Sequence, residues 1–172
     1  MSAYRRKTWQ EKLADSKGLP KLGKVMGNMR RTWGTGTMVV PAPREVDEVM
    51  RRVPKGRVTT INQIRAVLAK KHKVNFCCPI TTGIFSWIAA HAAEEAAAAG
   101  RKRITPYWRT LKGEGELNPK YPGGIKAQAK RLKAEGLVIE PGKGRKPPRV
   151  KDVEKRLAQI SKGCALVHAA QQ

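Results

Sequence analysis

The chain has 172 residues, with 36 Lys+Arg against 13 Asp+Glu, for a formal charge of +23. That length suits one domain of ordinary size, and 40% hydrophobic residues supply a core, which excludes wholesale disorder. The longest uncharged stretch, 74–93, is interrupted by Asn75, Pro79, Gly83 and His91 and is too polar for a membrane span, and the basic N-terminus lacks the apolar run of a secretory signal.

The charge is spread along the chain: nine basic and two acidic residues in 1–40, nineteen and nine in 41–140, eight and two in 141–172. Positive charge in every part favours a polyanionic partner held by phosphate neutralisation and counterion release. Charge alone leaves a ribosome-associated or membrane-surface role open and names no activity. Three cysteines, two of them adjacent (Cys77, Cys78), match no disulfide framework and no zinc spacing, and point to a reducing, cytoplasmic setting. His91 and His168 have no companions at metal spacing, so no metal and no cofactor is expected.

Thr8-Trp9-Gln10-Glu11 fits a capping box and predicts a short helix from Trp9 towards Ser16. Gly18, Pro20, Gly23 and Gly27 break the pattern, and 33–36 reads as loop, so 1–36 is expected to be a basic arm with Trp9 and Trp33 packed on the main domain. Thr37–Val40 is strand-like. From Pro43 to Val53 an N-terminal Pro, early acids, late bases and the face Val46, Val49, Met50, Val53 predict a helix.

After the turn Pro54-Lys55-Gly56, Thr59 or Thr60 caps a second helix carrying Ile61, Ile64, Val67 and Leu68. A loop over 72–79 leads to a longer helix capped by Thr81 or Thr82 and ended near Ala99 by Gly100 and Arg101-Lys102-Arg103. Two helices with a short connection read as a helix-turn-helix, with a connection longer than usual. The Gly- and Pro-rich segment 104–124 reads as a structured loop or wing. Ile125, Ala129 and Leu132 mark a helix stopped by Gly136, and 137–139 is expected to be a strand. Pro141–Arg149 reads as a linker or basic loop, and Val150, Val153, Leu157 and Ile160 as one last helical stripe before a small-residue tail. The expected architecture is mainly α with small β elements: a winged helix-turn-helix domain over 37–140 between a basic arm, 1–36, and a basic linker with a C-terminal helix, 141–172.

The order of segments adds to this. Val46 and Val49 on a helix lead into V-P-K-G-R-V-T-T-I-N-Q-I (53–64), then the long helix, P-Y-W-R-T-L (106–111), Y-P-G-G (121–124) and A-E-G (134–136). The series resembles the DNA-binding domain of the 6-O-alkylguanine-DNA alkyltransferases over roughly 43–139. That family's active-site signature reads P-C-H-R-V. Here Pro106 and Arg109 are kept, Tyr107 stands where the nucleophilic cysteine belongs, and Trp108 stands where the histidine belongs. A phenol titrating near pH 10 beside an indole with no basic nitrogen lacks both the soft nucleophile and its activator, so no alkyl transfer is expected.

The pattern is similar to the alkyltransferase-like proteins, which lack the cysteine. The resemblance implies a helix-turn-helix that enters the minor groove, a damaged base flipped into a pocket, and hand-over to another repair protein. Pocket residues by this correspondence are Pro106, Tyr107, Trp108, Tyr121, Gly123 and Gly124. Glu135 matches the glutamate that orients the family's histidine, and is expected to lose that partner to Trp108. DNA contacts are expected from Thr60, Thr81, Thr82, Gly83 and Ser86 near the second helix, and from Arg57, Arg65, Arg101, Lys102, Arg103 and Arg109. Arg109 has a structural alternative within the loop. Two departures stand out: Ile61 replaces the tyrosine that helps rotate the target phosphate, and the arginine that fills the vacated base stack falls near Thr82.

The reading is therefore a monomeric, non-enzymatic protein that binds alkylation-damaged duplex DNA on the nucleoid. An active alkyltransferase using a displaced thiol (Cys77 or Cys78, with His72 the nearby base) and a basic winged-helix regulator of DNA or RNA without lesion preference are the alternatives.

Overall fold

The computed structural model describes residues 5–160. Helix α1 (Trp9–Ala14) starts at the expected capping box: the Thr8 hydroxyl accepts from Glu11 N, and Glu11 accepts from Thr8 N. Strand β1 (Lys21–Lys24) and helix α2 (Met29–Trp33) follow, where glycines and a proline predicted loop. Backbone pairing outweighs poor strand propensity here, because β1 lies antiparallel to β2 (Thr37–Val40), with Lys21 opposite Val40. Helix α3 (Pro43–Arg51) has Pro at its first position and Val46, Val49 and Met50 buried.

Strand β3 (Thr59–Thr60) runs into α4 (Ile61–Lys71), capped by the Thr60 hydroxyl, which accepts from Gln63 N at 3.2 Å. The connection to the next helix contains β4 (Phe76–Cys77), which joins β2 in parallel register, so the helix pair is joined through a sheet strand rather than a bare turn. Helix α5 (Pro79–Ala98) begins earlier than expected. Cys78 is its N-cap and Pro79 its first residue, while the Thr81 and Thr82 hydroxyls turn back onto the Cys78 carbonyl. At its other end, Arg101 N donates to Ala96 O and Gly100 N to Ala97 O, the glycine-terminated stop read from the sequence.

The segment 104–124 holds a 3-10 turn (Tyr107–Arg109) and β5 (Thr110–Leu111), which pairs in parallel with β3. Helix α6 (Gly124–Ala134) ends in the same type of stop, with Leu137 N donating to Leu132 O. Strands β6 (Ile139–Glu140) and β7 (Arg149–Val150) form an antiparallel hairpin. The basic segment 141–148 is its tip, the basic loop of the two readings.

The last apolar stripe is not one helix. Val150 belongs to β7, α7 spans only Val153–Arg156, and Leu157 is extended beside Val58. The backbone cannot stay helical because Asp152 takes a left-handed conformation (φ +49°) and Leu157 an extended one. The segment instead straps the start of α4: Val58 N donates to Arg156 O, Ala158 N to Val58 O, Gln63 Nε2 to Ala158 O and Arg57 Nη1 to Lys155 O. The expected tail, including Cys164 and His168, lies outside the described residues.

Two main cores result. The larger is built by α3, α4 and α5 with Tyr107 and Tyr121, and the smaller by Val58, Leu111, Leu117, Leu132, Leu137, Val150 and Val153. Half-buried Trp108 packs against both. Among the described residues no helix is long and apolar enough to cross a membrane.

Thr60 is buried and its hydroxyl is engaged as the α4 cap, so it is a structural residue and not the DNA contact expected of it. Thr60→Ala should lower stability by about 1 kcal/mol, read from the urea midpoint, and leave nucleic-acid affinity unchanged.

Candidate functional site

Where the resemblance to the alkyltransferases implies a pocket, the structure places a tie between the two cores. Arg109 grips Glu135 with Nε and Nη2 at 2.8–3.1 Å, and its Nη1 donates to Val53 O at 2.7 Å. Trp108 Nε1 donates to Glu135 Oε1 at 2.8 Å and Gly56 N donates to Oε2 at 3.2 Å. The ion pair is largely enclosed, with side-chain exposures of 14% and 8%. Arg109 is thus the structural residue of its two readings and is removed from the DNA contacts. Glu135 has not lost its partner: the indole N–H donates to it, as an imidazole N–H would. Burial works to raise the Glu135 pKa, yet Arg109, Trp108 and Gly56 together hold it below the usual carboxylate range.

Tyr107 and Tyr121 are buried edge to face, ring centroids 5.6 Å apart, and Tyr107 meets Trp108 in the same way. The Tyr107 hydroxyl donates to Glu94 Oε1 at 2.8 Å, and Arg131 pairs with the same oxygen at 2.5 Å. Burial first, then the hydrogen bond to Glu94, push the Tyr107 phenol well above its ordinary pKa. It is a neutral core group. The Tyr121 phenol is pushed up to about 12 by burial, against the lowering influence of nearby Ser86 and Asn118. Neither neighbour reaches hydrogen-bonding geometry, and among the described residues the Tyr121 hydroxyl has no partner.

The open cleft lies on the other side of this aromatic group. It measures about 500 Å³, within the range of small-ligand sites, and runs between the first turns of α4 and α5 and the loop 112–120. Ile61 and Asn62 form one wall, Ile80, Gly83, Ile84, Ser86 and Trp87 a second, and Lys112, Gly113, Asn118, Pro119 and Lys120 a third. Among the described residues no carboxylate lines it, and Glu116 lies behind the loop wall 3.9 Å from Lys112 Nζ. Of the expected pocket residues, Pro106, Tyr107, Trp108, Tyr121, Gly123 and Gly124 do not line this cleft. The large rings at 107 and 108 fill the interior between α5 and α6, and Tyr121 closes the cleft's back through Ser86 and Asn118. Gly123 takes a left-handed conformation (φ +76°) at the start of α6, where a Cβ would meet that of Ala127 at 2.5 Å, a constraint of the turn.

The expected DNA contacts divide in the same way. Gly83 lies in the cleft and Thr81 is half-buried beside it. Thr82 and Ser86 are buried, their hydroxyls donating to Cys78 O and Gly83 O, so neither side chain is free for a phosphate. Arg65 is tied to Cys77 O and Asn62 Oδ1, and Arg57 to Lys155 O. Arg101, Lys102 and Arg103 are exposed but follow the C-terminus of α5, a helix of 20 residues and so about 30 Å long, while the cleft flanks its N-terminal half. They form a separate basic patch.

The loop wall is braced by the basic hairpin: Val150 N donates to Gly115 O, and Leu117 N to Pro148 O. Lys143, Arg145, Lys146 and Arg149 are exposed along the hairpin. Reading the sequence missed Ile80, Ile84, Trp87, Asn62, Lys112, Asn118 and Lys120. The spacing of 80, 84 and 87 was visible, but α5 is apolar on several faces and the pattern does not say which one is covered. A second cleft, about 460 Å³, lies between α1 and Pro43, Phe85 and Ile88. Of its cations, Lys7 pairs with Asp15 in the same cleft and Lys12 lies over the Trp9 ring.

Trp9 stacks on His91 and meets Trp87 edge-on, with Glu95 accepting from Trp9 N and Gln10 N, so this arm tryptophan packs on the domain as expected. Cys77 and Cys78 are buried, and burial raises the Cys77 thiol to about 11 with Thr82 Oγ1 3.3 Å from its sulfur. His72 is bonded to Glu45 at 2.8 Å.

No family model and no curated protein matches this chain. A comparison with solved structures finds the crystal structure of S. pombe Atl1 in complex with damaged DNA containing O6-carboxymethylguanine, 16% identical, covering 68% of this chain and 94% of that one with a TM-score of 0.48. A likeness of that size carries no function to this chain.

Glu135→Ala should cost about 3–5 kcal/mol in chemical denaturation, because it leaves Arg109 buried and uncompensated. The depressed Glu135 pKa means its contribution is complete above the ordinary carboxylate range and is lost as pH falls through the lower folded value, so Glu135→Gln should flatten the acid limb of the wild-type stability curve. Cys77 and Cys78 should take up iodoacetamide at pH 7 only after denaturation, as peptide mapping would reveal.

Proposed function

We propose that this protein is a non-enzymatic binder of double-stranded DNA that recognises alkylated guanine through the cleft beside the α4–α5 pair. The observation that carries the reading is the cleft itself: aliphatic and aromatic side chains of α4 and α5 on two walls, two lysines on the loop wall with Glu116 3.9 Å from Lys112, and a volume suited to one extrahelical base. Of the sequence landmarks shared with the alkyltransferases, the segment 53–64 reaches this surface through Ile61 and Asn62. The fold's internal demand for carboxylates adds to it. Glu11, Asp15, Glu45, Asp47, Glu94, Glu95 and Glu135 are all bound within the chain, so the excess of Lys and Arg is left facing solvent. Such a surface favours phosphates and gives binding a steep salt dependence.

Recognition would run as follows. Lys112 and Lys120 hold phosphates along the loop wall of the cleft, the hairpin cations extend the footprint, and the hairpin serves as the wing. Trp87, propped by Trp9, offers an aromatic face to a displaced base, and Asn62 and Asn118 offer hydrogen bonds to its edge. A modified, poorly paired guanine costs less to extrude, which supplies the preference. With Tyr107 interior and held as a neutral phenol, the Cys77 thiol raised by burial and Cys78 buried, this site supplies no nucleophile for alkyl transfer. Marking the lesion for a separate repair protein is the role that remains.

The inward turn of Tyr107 and Trp108 favours a second reading, a basic DNA-binding module with no lesion preference. Competition between duplexes with and without 6-O-methylguanine, at two salt concentrations, decides between them. Tighter binding of the modified duplex is expected, and equal affinity would refute lesion recognition. Lys112→Ala with Lys120→Ala should lower the slope of log affinity against log salt by about 1–2 and weaken both duplexes alike.

A further inference from the structure

Helix α5 carries no Lys or Arg along its whole length. Its outward face in the first turns instead presents Ile80 and Ile84, 58% and 45% exposed, one helical turn apart. Two large aliphatic side chains left in water on so basic a protein are not explained by the core, which α5 supplies through Phe85, Ile88 and its alanines. Both isoleucines stand on the rim of the cleft, with Ile61 at its α4 edge and Lys112 and Lys120 across it. The patch is thus apolar at its centre and cationic at its border, where Lys120 is exposed and Lys112 lies 3.9 Å from Glu116. That is the arrangement of a surface meant to enter a nucleic-acid groove: aliphatic wedges separate neighbouring bases while cations hold the backbone.

We infer that Ile80 and Ile84 are a wedge that enters the base stack of duplex DNA and fills the space left by a base displaced into the adjoining cleft. This inference rests on the DNA-binding reading above and specifies how that site works. A guanidinium would fill such a gap by stacking and hydrogen bonding. Aliphatic groups fill it by burying their own exposed surface, so binding recovers the hydrophobic free energy that the free protein forgoes. The buried, unpartnered Tyr121 hydroxyl behind Ser86 and Asn118 lies at the cleft's back, where an inserted base edge would come closest to it.

The test uses the full chain and duplexes carrying 2-aminopurine at the target position, whose fluorescence rises when it leaves the stack, with anisotropy of a terminal label reporting binding. Wild type, Ile80→Ser/Ile84→Ser and the control Val138→Ser, an exposed apolar residue away from the cleft, are each brought to saturation. Wild type and the control should raise the 2-aminopurine signal, while the double variant, bound to the same saturated anisotropy, should lose that rise. A rise in the double variant equal to wild type, or bound wild type with no rise, would overturn the wedge while leaving DNA binding intact. Absence of any anisotropy change with wild type would instead overturn the DNA-binding reading beneath it. Circular dichroism of the double variant should match wild type, because both side chains face solvent.

Discussion

The enclosed pair between Arg109 and Glu135 is the constraint on which the arrangement depends. It joins three pieces distant in sequence: the 3-10 turn after α5, the end of α6 and the 53–56 turn after α3, through contacts to Val53 O and Gly56 N. Charges taken out of water are tolerated only when their hydrogen-bonding capacity is met, and here the carboxylate accepts from a guanidinium, an indole and a backbone amide. With this tie in place, Trp108 sits between two cores and Tyr107 is driven inward. The residues most suggestive of chemistry in the sequence therefore serve the scaffold. The tie also sets the position of loop 112–120, which begins three residues beyond Arg109, and so one wall of the cleft.

Much of the helical framework was legible from local signals. The capping box at Thr8, the Thr60 cap and the glycine stops at Gly100 and Gly136 occur where the sequence placed them, because each is a short-range hydrogen-bond arrangement. The sheet strands β1 and β4 were not legible. Lys21–Lys24 and Phe76–Cys77 are strands only because β2 lies between them, and a pairing of that kind leaves no periodic trace in two to four residues. The final stripe from Val150 to Ile160 failed for the opposite reason: the spacing was helical, but the backbone at Asp152 and Leu157 was not.

At the site, a correspondence of motifs identified the neighbourhood but not its orientation. Enlarging a cysteine to a tyrosine changes where the side chain is accommodated, and Tyr107 is accommodated inside, donating to Glu94. The cleft residues were missed because what marks them is exposure, a property of the folded surface. Ile80 and Ile84 look in sequence like any other apolar pair on an apolar helix. The cations divide likewise: Arg101–Arg103 announce themselves as a cluster yet lie a helix length away, whereas Lys112 and Lys120 are isolated in sequence and flank the cleft.

The strap formed by 155–158 has a consequence for how the chain must be handled. Val58 is paired on both its amide and its carbonyl with residues nearly a hundred positions later, and Gln63, inside the first turn of α4, closes on Ala158. Closure over such a distance carries a large entropic cost, so the contact is worth little until the intervening helices have assembled. A fusion, tag or nick near the carboxyl end would consequently act on the opening of α4 as a remote mutation, altering the recognition surface without touching a residue of it.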